Sequence, residues 1–174
     1  MRNAFADWGR PDKYGVPTNL LGRHPEAVYG MVGRVVMLSA LLEDRQRTLL
    51  QVLTDKGPTG YAGAPAGKIL RQLRAAAREA SALTSAWGDF LPILDRAEDA
   101  FDFRNAVVHN LWPAQGDGSL FGHRQHPKTG IRQITVTSTD EVADGIANLV
   151  ALIRDNESWI ARAWSVQRLR RAAE

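Results

Sequence analysis

Residues 85–111 read SAWGDFLPILDRAEDAFDFRNAVVHNL, and their spacing decides the fold class. Phe90, Leu94, Ala97, Phe101, Arg104, Val108 and Leu111 recur at alternating steps of four and three. That is the period of one packed helix face. Arg104 holds a place on this seam that an aliphatic side chain ought to hold. A second row on the same segment, Glu98, Asp102, Asn105 and His109, is wholly polar and shares one face. Pro92 lies one turn beyond Trp87-Gly88-Asp89, so the helix kinks or starts there. Trp112-Pro113 closes it.

The neighbouring segments repeat the helical period. A first helix is predicted from His24-Pro25-Glu26 to about Thr54, on apolar residues Val28, Met31/Val32, Val35, Leu38, Leu42, Leu49 and Val52/Leu53. Arg45 to Arg47 interrupt its stripe. Thr54 to Gly67 is rich in Gly and Pro and is predicted as a loop. A second helix is predicted from about Lys68 to Leu83. Its apolar side is Ile69/Leu70, Leu73, Ala76/Ala77, Ala80 and Leu83. Its other side carries Lys68, Arg71, Arg74 and Arg78, which suits either a solvated face or a phosphate-binding one.

After Gln115–Ser119, two short strands are predicted, Leu120–His126 and Ile131–Thr137, with Pro127-Lys128-Thr129-Gly130 as the turn. Ser138 and Glu141 have capping-box spacing ahead of a last helix reaching about Ala172. Residues 1–23 read as an irregular N-terminal arm, tacked down by Trp8, Tyr14, Leu20 and Leu21. Residues 24–174 read as one all-α domain, a bundle of four or five helices with a small β-hairpin at about 119–137 before the last helix.

Composition narrows the chemistry. The chain has 174 residues, no cysteine and a formal charge of +3. A thiolate metal site, a disulfide scaffold and a cysteine nucleophile are all excluded. No apolar run is long enough to span a membrane. The first residues lack the apolar core of a secretory signal, so a cytoplasmic protein is expected. The cations are mostly arginine, the better residue for forked contacts to phosphate. His123 and His126 form a lone H-x2-H without a third ligand, so no metal and no cofactor are expected. With Arg124 and Lys128, His123 instead suggests RNA contact by a basic hairpin. No phosphate loop follows Gly67-Lys68, and no G-x-S-x-G occurs.

One constellation stands out: Arg104-Asn105, three residues, then His109, at the end of a core helix. The pattern arises by chance about 0.05 times in such a composition. Arg104-Asn105-Ala106-Val107-Val108-His109 resembles the signature of the HEPN superfamily: Arg, four to six residues, then His, often with a polar residue after the Arg. Family members more often carry Gly after the His, where this chain has Asn110, the next-best residue for a left-handed helix end. The resemblance implies a helical bundle, usually dimeric, often a metal-independent endoribonuclease. Many members are toxins or antiviral effectors held by a cognate antitoxin or regulatory protein. Others are inactive and only bind RNA, nucleotides or proteins.

The side chains suit that chemistry. Histidine moves protons near neutral pH. RNA brings its own nucleophile, the 2′-hydroxyl. An arginine can hold the phosphate as charge builds. Arg104 and His109 are therefore the catalytic candidates, with Asn105 positioning and Asp102 and Glu98 supporting. Five residues apart on a helix, Arg104 and His109 point about 140° away from each other. They converge if the helix unwinds at His109, or if two chains meet at their helix ends in a homodimer. Structural roles remain open for both. Arg104 could bond to Asp102 or to loop carbonyls, and His109 could cap the helix.

Overall fold

The computed structural model describes residues 9–17, 24–57, 59–109, 120–125 and 129–173. The chain is mostly helical. Helix α1 spans Glu26–Thr54, α2 Ala66–Ser81 and α3 Leu91–His109, and a 3-10 segment, Ser85–Phe90, runs directly into α3. Strands β1 (Leu120–Gln125) and β2 (Arg132–Thr137) form an antiparallel pair before α4, Thr139–Ala173. The contacts divide the chain into two compact units, residues 1–33 with 105–144, and residues 34–104 with 145–174.

In the larger unit the cores of α1 to α4 are aliphatic. Leu42, Leu49, Leu53, Ile69, Leu73, Leu94, Leu149 and Leu152 are fully buried or nearly so. The expected interruption of the α1 stripe at Arg45–Arg47 is absent in geometry. Gln46 takes the inward position between Leu42 and Leu49 and is itself fully buried. Arg45 and Arg47 instead pair with Glu157 at 3.4 Å and Glu43 at 2.8 Å. Trp87, Phe90 and Trp159 form an aromatic cluster with ring centroids 4.9 to 5.7 Å apart. Such pairs add to simple area burial.

Ion pairs and caps fix the helix directions. Arg45 meets Glu157, and Arg170 donates to the Leu53 carbonyl at 2.6 Å, so α1 and α4 run in the same sense. Asp55 adopts a left-handed φ of 53° just past α1, as a helix-terminating residue does. Its carboxylate accepts from Gln167 at 2.7 Å and Arg171 at 3.2 Å. Arg96 bonds Asp155 and Asn148, while Phe103 lies against Gly145, so α3 and α4 are antiparallel.

Three boundaries differ from expectation. Helix α2 starts at Ala66 because the Pro65 carbonyl, in extended backbone, accepts from Lys68 and Ile69. It ends at Ser81 rather than Leu83. The predicted helix from Ser85 is two elements: the turn before Pro92 is 3-10, and Pro92 sits in the first turn of α3, where its missing N–H costs nothing. The seam also turns. Phe90, Leu94, Ala97 and Phe101 are buried, but Val108 is exposed, and Val107 and Ala100 are buried instead. A guanidinium at Arg104 is a poor continuation of apolar packing, and burial passes to the Ala100–Val107 side.

In the smaller unit, Val28, Val107, Leu120 and Val142 are buried. Residues 9–17 contain no helix. Asp12 organises a turn there, its carboxylate accepting from the backbone of Tyr14 and Val16, with Pro11 bridged to Pro17. The capping box at α4 is present. Ser138 N–H donates to Glu141 at 2.9 Å, and Glu141 N–H donates back to Ser138 Oγ at 3.1 Å. The strands end at Gln125 and begin at Arg132, one residue inside the predicted limits. Trp8, Leu20, Leu21, Asn110, Leu111 and Trp112-Pro113 lie outside the described residues.

Candidate functional site

The last two turns of α3 carry the candidate residues. Helix geometry is kept through His109, so the chain does not unwind there. Asn105 and His109, four apart, share a face, and Asp102 lies on it one turn earlier. His109 and Asp102 are exposed, and Asn105 is partly buried. Arg104 stands about 140° around the helix from His109. Within one α3, the two side chains therefore do not meet.

The packing before Arg104 is tight. Ala100 and Phe101 are buried. Phe103 covers the place where residue 145 would carry a side chain. A Cβ on Gly145 would collide with the Phe103 ring, whose Cε2 would lie at 3.0 Å. This contact fixes the helix turn on which Arg104 sits. Arg104 itself is only partly exposed. Among the described residues its side chain has no hydrogen bond and no ion pair, and the expected alternative of a bond to Asp102 is not formed. The Arg104 nitrogens are not among the buried unpartnered atoms, so the stem is half-covered while the guanidinium donors stay open to water or to a ligand.

The supporting acids behave differently. Glu98 does not serve His109. With Asp95 it clamps Arg74, at 2.9 and 2.6 Å respectively. Arg74 thereby ties α2 to α3, and its charge is matched. Lys68, Arg71 and Arg78 remain exposed on α2 and form no ion pair among the described residues. The basic row is thus three cations with one taken out of it. Asp95 was not singled out from the sequence. The signal was present, since Asp95, Glu98 and Asp102 recur at steps of three and four facing a basic helix.

The side chains of His123 and Arg124, and the whole of Lys128, lie outside the described residues. Backbone register places His123 opposite Ile134 and Arg124 opposite Gln133. Among the described residues, no three His, Asp or Glu gather as metal ligands. No helix is long and apolar enough to cross a membrane.

Near the end of α3 the chain therefore carries an exposed imidazole at His109 and a partly exposed guanidinium at Arg104. No family model matches the chain, and no curated protein or solved structure matches it either.

Proposed function

We propose that this chain is a HEPN-type, metal-independent endoribonuclease that acts as a homodimer. The observation that carries the reading is Arg104: partly buried on an apolar seam, without a side-chain partner among the described residues, five residues before an exposed His109. A structural arginine would spend its five donors on carbonyls or carboxylates. A phosphate-binding one must keep them for the substrate.

In the proposed reaction, the RNA 2′-oxygen attacks the adjacent phosphorus. The bond to the 5′-oxygen breaks, and a 2′,3′-cyclic phosphate forms. The 2′-hydroxyl proton passes to a neutral His109, and the 5′-oxygen receives a proton from a protonated one. Two His109 side chains at paired helix ends supply both roles. Arg104 donates to the non-bridging oxygens as charge accumulates, and Asn105 orients the imidazole or the phosphate. Helical geometry through His109 favours the two-chain arrangement, because unwinding was the other route to convergence. Lys68, Arg71 and Arg78 would lead the RNA backbone in. The biological setting that fits is a toxin or phage-defence effector, restrained by a cognate antitoxin or regulatory protein.

The test is cleavage of single-stranded RNA in EDTA by the wild type, His109→Ala and Arg104→Ala. The reading expects cleavage by the wild type alone. Equal cleavage by all three, or loss of cleavage on adding EDTA, overturns it.

A further inference from the structure

Helix α1 is apolar on every side over a stretch near its middle. Residues Val35 to Leu42 read VVMLSALL and carry no charge. The one polar side chain, Ser39, is buried and donates to the Val35 carbonyl at 2.6 Å. A helix that is apolar all round belongs in an interior. The inner side of this stretch is in one, since Val35 and Leu42 are fully buried. The outer side is not. Val36 is 45%, Met37 73% and Leu41 38% exposed, and Ala40 is exposed beside them. The inner side already anchors α1, so the fold does not call for this outer row. All of these residues belong to the larger unit.

A charge bounds the outer row at each end. Arg34, Met37, Leu41 and Asp44 recur at steps of three, four and three, which makes one seam. Arg34 is exposed and forms no ion pair among the described residues. The Asp44 carboxylate, 58% exposed, meets the neighbouring Arg45 at 3.5 Å, and Arg45 also reaches Glu157 at 3.4 Å. Arg34 and Asp44 lie equally far from Ser39, one before it and one after, and so do Met37 and Leu41. Reversed in direction, the row is its own complement.

That symmetry selects the occupant. Two copies of α1 laid antiparallel about a two-fold axis at Ser39 set Met37 against Leu41 and Arg34 against Asp44, each pair twice. A parallel pair would instead set Arg34 on Arg34 and Asp44 on Asp44. A lipid surface would call for a basic rim, and here the one cation is matched by one acid. Nucleic acid has no use for Met37 and Leu41.

We propose that the outer side of α1 from Arg34 to Asp44 is a self-docking surface, occupied by the same stretch of a second copy in the antiparallel sense. Met37, Leu41 and Val36 supply the apolar contact. The two Arg34–Asp44 pairs set its direction and register. This contact is distinct from the pairing of α3 ends proposed above, and it holds if the nuclease reading fails.

The experiment is sedimentation velocity on the full chain over a concentration series. The wild type should associate, and Met37→Glu with Leu41→Glu should halve its mass. Arg34→Asp and Asp44→Arg should each weaken association by about tenfold or more, because each sets like charges together at both ends of the seam. An equal mixture of these two variants should restore it, since each Asp at 34 or 44 then faces an Arg of the other chain. All four positions are exposed, and an unchanged circular dichroism spectrum checks that each variant folds. The same charge effects should persist in His109→Ala, which keeps this test apart from that of the nuclease. A wild type that stays monomeric overturns the proposal and leaves the row to a different protein. A mass unchanged by Met37→Glu with Leu41→Glu overturns it too. So does a mixture that associates no better than its two components, because Arg34 and Asp44 then do not meet across copies.

Discussion

Replacing Arg104 with leucine should make the protein more stable while removing the proposed nuclease activity. A fully buried leucine contributes about 1.5–3 kcal/mol. The Arg104 position is only partly buried, so about half of that, roughly 1 kcal/mol, is available. The methylenes of the arginine stem already supply some of it. The guanidinium nitrogens are not among the buried unpartnered atoms, so losing them adds nothing further. The net expectation for Arg104→Leu is a gain of about 0.3–1 kcal/mol, or about 1–4 °C in Tm for a chain of this size. Urea and thermal unfolding, followed by circular dichroism, read it directly, with Arg104→Ala as the truncation control. A loss of about 2 kcal/mol or more in Arg104→Leu would refute the reasoning, because it would show the guanidinium holding the fold through bonds of its own.

Other substitutions follow from the same packing. Gly145→Ala drives a Cβ into the Phe103 ring and should cost about 1–3 kcal/mol. Gly33→Ala meets nothing within 4 Å and should gain about 0.5–1 kcal/mol from helix propensity, so the two alanines shift the urea midpoint in opposite directions. Arg71→Ala should lower the slope of log K against log salt for single-stranded RNA by about 0.7, while Arg74→Ala should leave it unchanged, since Asp95 and Glu98 already match its charge. Glu141 titrates below the ordinary carboxylate range, because the Thr137 hydroxyl and the Ser138 N–H both donate to its charged form. A depressed folded pKa means the cap is at full strength above the ordinary carboxylate pKa, about 4.3, and fades as pH falls through the depressed value. Protection of the amides at the start of α4, measured against their intrinsic exchange rates, should therefore fall over that acid window in the wild type, and Glu141→Gln should abolish this change in protection.

Much of the fold follows from spacing alone. The steps of three and four set α1 and α4 with their limits and the body of α3, though not its start, and the Ser138–Glu141 pair marked a helix start that the hydrogen bonds reproduce. What spacing did not carry is which neighbour a face meets. Gln46 sits in a core row because Leu42 and Leu49 bracket it, whatever its polarity. Val107 displaces Val108 inward because the seam turns past Arg104. Glu98 went to Arg74 on another helix, a pairing between segments that periodicity within one helix cannot reveal. The Arg104–His109 spacing was plain from the residues. That the Arg104 side chain would stand without a partner among the described residues was not, because satisfaction of a side chain depends on groups distant in sequence.

The nuclease reading stands or falls on the ends of the products. Wild-type protein in EDTA, given an RNA of defined sequence, should release fragments ending in a 2′,3′-cyclic phosphate, and a 2′-deoxy substitution at the cleaved position should stop the reaction there. His109→Ala should release none. Cleavage that persists at the 2′-deoxy position, or cyclic-phosphate ends formed equally by His109→Ala, would contradict the assignment of His109 and Arg104 as the catalytic pair.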